Sequence, residues 1–293
     1  MKQSLLMGLV LGVVLAFAAM LFAPPREGPA RAERQDVALS CYAASANNKL
    51  AMSVTGVDVE VPQELHAQLD LASQQLNARW QDWLGVEELT PAPASLQFLG
   101  DAARFNSVYD GPNVEGSTAT GFYRIRSHEA FVLFDETHRR SAAATALHEL
   151  SHLHTAWHLG PTPAWLNEGL AEYFETLRPG PPPAYVRSRS HLELLLSDGP
   201  VPLTDLLLFS RREFAREDAQ RRYASAWSLT TFLLEHRAGR EVFRALLRDA
   251  YANRCESGAE LRLDALLTYP GGLESLEAAW GRWIKRHIVR RRS

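Results

Sequence analysis

The chain has 293 residues, 46% apolar and 22% charged, with a net charge of −3 and a pI near 6.4. That length can bury a sizeable core without disulfide staples, and nothing in the charge balance suggests nucleic acid as a partner. Cys41 and Cys255 lie too far apart for a zinc motif; one bridge in an oxidising compartment and two unpaired thiols both fit the sequence.

The N-terminus opens with Lys2 and an unbroken apolar run from Leu5 to Ala23, closed by Pro24 and Pro25. A run of about twenty residues spans a bilayer as a helix. Residues 1–23 are therefore read as a signal anchor or transmembrane segment, through which the chain would meet the membrane. Ala30-Arg31-Ala32 resembles a small-x-small cleavage site, so secretion after cleavage is the alternative. Lys2 favours an N-inside orientation, while Arg26, Arg31 and Arg34 pull the other way. The simplest placement is a single-pass protein of the inner (cytoplasmic) membrane with its domain in the periplasm or outside the cell. Residues 24–38, rich in Pro, Gly, Ala, Arg and Glu, suit a linker. One domain then runs over 39–293.

Residues 51–61 alternate apolar and polar and predict a strand. Pro62 to Leu84 has helical spacing through Leu65, Leu69, Leu76 and Trp80. Ser95 to Leu99 reads as a short strand, and 105–119 as a loop around Asp110, Gly111, Pro112 and Gly116. Gly121 to Arg126 and Ala130 to Phe134 read as strands joined around Ser127-His128-Glu129. Ser141 is the expected cap of a helix over Ala142 to His158, stopped by Gly160-Pro161. Thr162 is the expected cap of the next, with Pro163 at its first position, ending before Arg178 to Pro183. Further helices are expected at 187–197, 221–237, 240–252, 259–267 and 271–288. The order predicts an α+β fold, a mixed β-sheet subdomain followed by a mostly helical one.

The stretch His148-Glu149-Leu150-Ser151-His152 carries the chemistry. On a helix, residues i and i+4 share a face, so two imidazoles can reach one metal ion. Glu149 points about 100° away around the axis, toward a water rather than the metal. Zinc at such a site lowers the pKa of its water to about 7, and the glutamate can take the proton. A catalytic zinc also needs a third protein ligand. Pro163-Ala164-Trp165-Leu166-Asn167-Glu168-Gly169-Leu170-Ala171-Glu172-Tyr173-Phe174-Glu175 follows a Gly-Pro break. A helix there can fold back and bring Glu168 to the histidines. Glu172, one turn on, can accept a hydrogen bond from a ligand histidine.

HELSH followed by WLNEGLAEYFE resembles the gluzincins, the superfamily of thermolysin and aminopeptidase N. The resemblance implies a zincin-like fold and one zinc ion per chain. It implies His148, His152 and Glu168 as ligands, Glu149 as general base and Glu172 as support for a ligand histidine. It is strongest over 120–180. A bacterial group of peptidase-like HExxH proteins is similar as well, matching Gly121-Phe122-Tyr123 and Arg222-Tyr223-Ala224-Ser225-Ala226-Trp227. The ligand spacing is shorter than in the aminopeptidases and a GxMEN-type motif is absent, so aminopeptidase specificity does not carry over.

In the gluzincins a Tyr or His beyond the third ligand donates to the oxyanion of the tetrahedral intermediate. Tyr223 is the candidate here, with a core tyrosine as the plain alternative; Tyr185 and His191 are weaker candidates. The resemblance also implies that the strand Ala130 to Phe134 forms the cleft edge; interior packing is the alternative. His158 is expected to interact with the carbonyls at its helix end. His154 has no expected metal role, and His128 and His138 are read as surface residues. The basic stretch Lys285 to Arg292 reads as a solvated helix end, or as a contact for anionic lipid headgroups. The expected activity is zinc-dependent hydrolysis of a peptide or protein substrate outside the cytoplasm. A catalytically silent, zinc-binding anchored module is the alternative, and a zinc hydrolase of another amide or ester a third.

Overall fold

The computed structural model describes residues 52–109, 116–118, 120–176, 188–254 and 264–289. The apolar run, the linker, both cysteines and Tyr185 lie outside them. Among the described residues, no helix is long and apolar enough to cross a membrane.

The N-terminal half is built on strands β1 (Ser53–Val57), β2 (Ser95–Leu99), β3 (Gly116–Thr118), β4 (Gly121–Arg124) and β5 (Glu129–Leu133), with helices α1 (Gln63–Leu84) and α2 (Ala102–Tyr109) between them. The strands form one mixed sheet in the order β1-β2-β5-β4-β3. β1, β2 and β5 run parallel, whereas β5, β4 and β3 pair antiparallel. The rest is helical: α3 (Ala142–Leu159), α4 (Ala164–Glu175), α5 (Arg189–Ser197), α6 (Leu203–Leu208), α7 (Arg211–Phe214), α8 (Ala219–Glu235), α9 (Arg237–Asn253), α10 (Asp264–Leu267) and α11 (Gly272–Val289). The fold is α+β, with the sheet first and the helices after it.

Period-two alternation decides which side of the sheet each residue serves. Leu96, Phe98, Tyr123, Ala130 and Val132 pack with Leu150 and Leu153 of α3. Leu99, Phe122, Phe131 and Leu133 face the other way, onto Phe105 of α2. α3 thus lies against the sheet on one side. On its other side is a helical core centred on Trp80, Trp165, Trp227, Phe232 and Trp280.

Several expectations are corrected. The stretch 105–119 is not all loop. α2 overlaps its start, because the Asp101 carboxylate accepts the Arg104 N–H at 2.7 Å and Phe105 anchors edge-on to Phe122, centroids 5.3 Å apart. Tertiary contact makes that helix, not a periodic pattern. β3 lies at its far end. Ser141 stands at the N-cap of α3 as expected, but its side chain makes no capping bond: Oγ donates to the His138 carbonyl at 3.0 Å. Thr162 does not cap the next helix, because Pro163 occupies the cap position and α4 starts at Ala164. β5 is an interior strand between β2 and β4, not an edge. His158 is 1% exposed and packs on Trp80, centroids 5.1 Å apart. Burial pushes its pKa well below the usual histidine range, so it is neutral and brings no charge to the helix end. α6 and α7 were not anticipated. α7 is nevertheless announced by a capping box, in which Ser210 and Glu213 satisfy each other's backbone N–H groups.

Two features set how the motif helices meet. Gly160, at the end of α3, has φ 72° and ψ −150°, which a residue with a Cβ rarely adopts. Gly169 lets α4 and α8 touch. A Cβ there would lie 2.7 Å from the Ala226 carbonyl oxygen and closer still to Thr230 Oγ1.

Gly169→Ala is therefore expected to destabilise the protein by about 1–3 kcal/mol, measured by denaturant unfolding; an unchanged midpoint would refute the tight contact. The buried neutral His158 gives a pH signature. Its folded pKa is depressed, so its stabilising contribution is complete above the unfolded value of about 6.5 and is lost as pH falls. Below that point it should add about 1.4 kcal/mol per pH unit to the acid slope of stability, and His158→Phe should remove that increment.

Candidate metal centre

α3 turns His148, Glu149 and His152 inward, at 2%, 1% and 3% exposure. α4 is amphipathic in a complementary way. Trp165, Leu166, Leu170 and Phe174 fill the helical core. Glu168, Glu172 and Glu175, at i, i+4 and i+7, line the face toward α3. After the Gly160 turn the two helices pack against each other.

The contact brings the expected ligand atoms together. Glu168 Oε2 lies 3.7 Å from His148 Nε2 and 3.6 Å from His152 Nε2. All three ligand atoms fall within 4.8 Å of one another. Tetrahedral zinc with bonds of about 2.0–2.1 Å separates its ligand atoms by about 3.4 Å. The two imidazole rings stand nearly perpendicular, at 77°, with centroids 4.8 Å apart. His148, His152 and Glu168 could hold one divalent ion with little adjustment.

Glu149 points elsewhere, as helix geometry requires. Its side chain lies against β4, where a Cβ on Gly121 would sit 2.6 Å from Glu149 Oε1 and 2.6 Å from Thr145 Cγ2. Gly121 is the space that admits the carboxylate. Both Glu149 oxygens are buried without a hydrogen-bond partner among the described residues. Burial raises the carboxyl pKa to about 8; the charges of Glu168 and Glu175 push the same way, and His148 opposes them. A cation held by the triad would favour its ionised form. Burial in a site of this kind suits a group whose partner is a bound water.

The two histidines differ. Burial alone would lower His148, but the nearby carboxylate of Glu168 and the hydrogen-bonded one of Glu175, with the charges of Glu149 and Glu172, hold its pKa well above the ordinary value. His152 is depressed to about 4 by burial, only partly offset by Glu168. Glu168 itself stays below the usual carboxylate range. Burial pushes it up, but His152, His148 and the positive charge of Arg211 outweigh that. Arg211, on the short helix α7, is a site neighbour that the sequence reading missed.

The support of His148 differs from expectation. The sequence points to Glu172, yet its Oε1 is 4.0 Å from His148 Nδ1. Glu175 Oε2 is at 3.1 Å and forms the hydrogen bond. Nδ1 faces away from Nε2 across the ring, so the carboxylate two turns past Glu168 reaches it better than the one a single turn on. Glu172 Oε2 instead bonds His191 Nε2 of α5 at 2.7 Å. The i, i+4, i+7 series of glutamates was the available signal for Glu175.

Tyr223 lies in the first half of α8. Its ring meets Phe214 edge-on, centroids 5.2 Å apart. Burial first, then the negative charges of Glu168, Glu172 and Glu149, raise its phenol pKa. It is thus a protonated hydroxyl close enough to the site to feel three of its carboxylates. His154 is buried beside His158. His138 bonds Asp135 at 2.6 Å, and His128 lies edge-on to Trp157.

A scan against known protein families finds no match, and a search of curated proteins finds none that matches significantly.

Elemental analysis of the purified protein should find about one zinc per chain. Glu149→Gln should retain it, and Glu175→Gln should weaken it about 10- to 100-fold. A larger loss in Glu172→Gln than in Glu175→Gln would show that the hydrogen bond to His148 has been misassigned.

Proposed function

We propose that the protein is a zinc-dependent peptidase of the gluzincin kind, acting on peptides or proteins. The observation that supports this most directly is the pairing of two features. Three potential ligating atoms converge from two helices, and beside them lies a buried carboxylate whose oxygens have no hydrogen-bond partner among the described residues. A metal site built only for stability has no use for Glu149, and burying it is costly.

A zinc ion in the triad would supply a positive charge that lowers the pKa of a water to about 7 and polarises the substrate carbonyl. The chain's residues do the rest. Glu149 accepts the proton of the attacking water and can return it to the leaving amine. Tyr223, kept protonated by its surroundings, donates a hydrogen bond to the developing oxyanion. Glu175 holds His148 through Nδ1 so that Nε2 faces the site. The apolar run Leu5 to Ala23 supports a membrane-anchored enzyme with its domain outside the cytoplasm; release after cleavage is the alternative.

The test is residues 39–293 against a mixed peptide library, beside Glu149→Gln and Tyr223→Phe. Cleavage by the parent and none by Glu149→Gln is the expected result. Tyr223→Phe should lose about 100- to 1,000-fold in kcat with KM little changed. Equal cleavage by parent and Glu149→Gln would remove Glu149 from the mechanism. Zinc without any cleavage would favour the silent anchored module.

A further inference from the structure

Tyr123 belongs to β4 and not to either motif helix, yet it touches the second imidazole. It is 1% exposed. Its ring is stacked on His152, with centroids 4.4 Å apart and planes 26° from parallel. Its hydroxyl accepts a hydrogen bond from Asn167 Nδ2 at 3.3 Å. Asn167 directly precedes Glu168 and is itself buried.

The two histidines are therefore held in different ways. His148 is aligned by a hydrogen bond from Nδ1 to Glu175. His152 Nδ1 has no well-aligned hydrogen bond among the described residues, so what restrains its ring is the face of Tyr123. The Tyr123 hydroxyl in turn holds Asn167, the residue before Glu168, so β4 is tied to both helices of the site.

We propose that Tyr123 is a positioning residue for the metal centre. It orients His152 by stacking and ties β4 to Asn167 beside Glu168, so that the sheet, and not only the two helices, sets the ligand geometry. This rests on the metal-binding reading above, and one arm of the test is independent of it.

The test uses the full chain with Tyr123→Phe, which keeps the ring, and Tyr123→Leu, which removes both ring and hydroxyl. Zinc Kd is measured by chelator competition. The ring 1H and 15N shifts of His152, which carry the ring current of the aromatic face stacked on it, are read from the metal-free proteins, and Tm is recorded alongside. Tyr123→Phe, which loses only the hydroxyl bond to Asn167, should raise the zinc Kd about fivefold at nearly unchanged Tm, with the His152 shifts kept. Tyr123→Leu should raise it about 10- to 100-fold and move the His152 shifts, with Phe restoring most of the difference. Should Tyr123→Leu not fold, Tyr123→Phe alone decides. Unchanged zinc affinity in Tyr123→Phe, with no greater loss in a folded Tyr123→Leu, would overturn the proposal. If the parent binds no zinc, the metal reading fails, and the His152 shifts in Tyr123→Leu still decide whether Tyr123 holds that ring.

Discussion

One carboxylate oxygen of Glu168, 3.6 and 3.7 Å from two imidazole nitrogens, is the contact on which the site depends. It requires α4 to lie along α3 in one register. A shift of one residue would rotate Glu168 about 100° away from the histidines. The register is held from both ends. Gly160 permits the backbone reversal between the helices, and Gly169 permits α8 to press against the far side of α4. The large apolar side chains of α4 then lock into the helical core. The WLNEG stretch thus encodes packing through Trp165, Leu166 and Gly169 as much as it places the Glu168 carboxylate.

The electrostatics around that contact are unbalanced in a directed way. Four glutamates, at 149, 168, 172 and 175, surround two buried histidines. Each carboxylate other than Glu168 has a distinct surrounding. Glu175 bonds His148, Glu172 bonds His191, and Glu149 fits the gap at Gly121 with no hydrogen bond among the described residues. Burying charge without a partner is unfavourable, and a divalent cation at the centre would relieve it. The same negative field and burial keep the Tyr223 phenol protonated, which is the state a hydrogen-bond donor needs.

Much of this was legible along the chain. The strand and helix around Ser95 and Pro62, the motif helix and the α+β order follow from local periodicity and from Gly and Pro punctuation. What escaped notice has a common cause. α2 exists because Phe105 finds Phe122, His158 is neutral because Trp80 covers it, and β5 is central because β2 pairs along the edge that β4 leaves open. Those facts depend on partners far away in sequence. Ser141 does stand at the N-cap of α3, but its hydroxyl turns to the His138 carbonyl, and Pro163 takes the cap position expected of Thr162.

The spacing of His148 and His152, the acid between them and the glutamate helix downstream were determined by sequence, because a helix repeats every 3.6 residues whatever surrounds it. Which glutamate serves which histidine was not. Nδ1 of His148 meets Glu175 instead of Glu172, and the face of His152 meets Tyr123, only after α3, α4 and β4 have been brought together. Helical pitch is a local property, while the angle and register at which elements cross are set by side-chain packing across the whole fold.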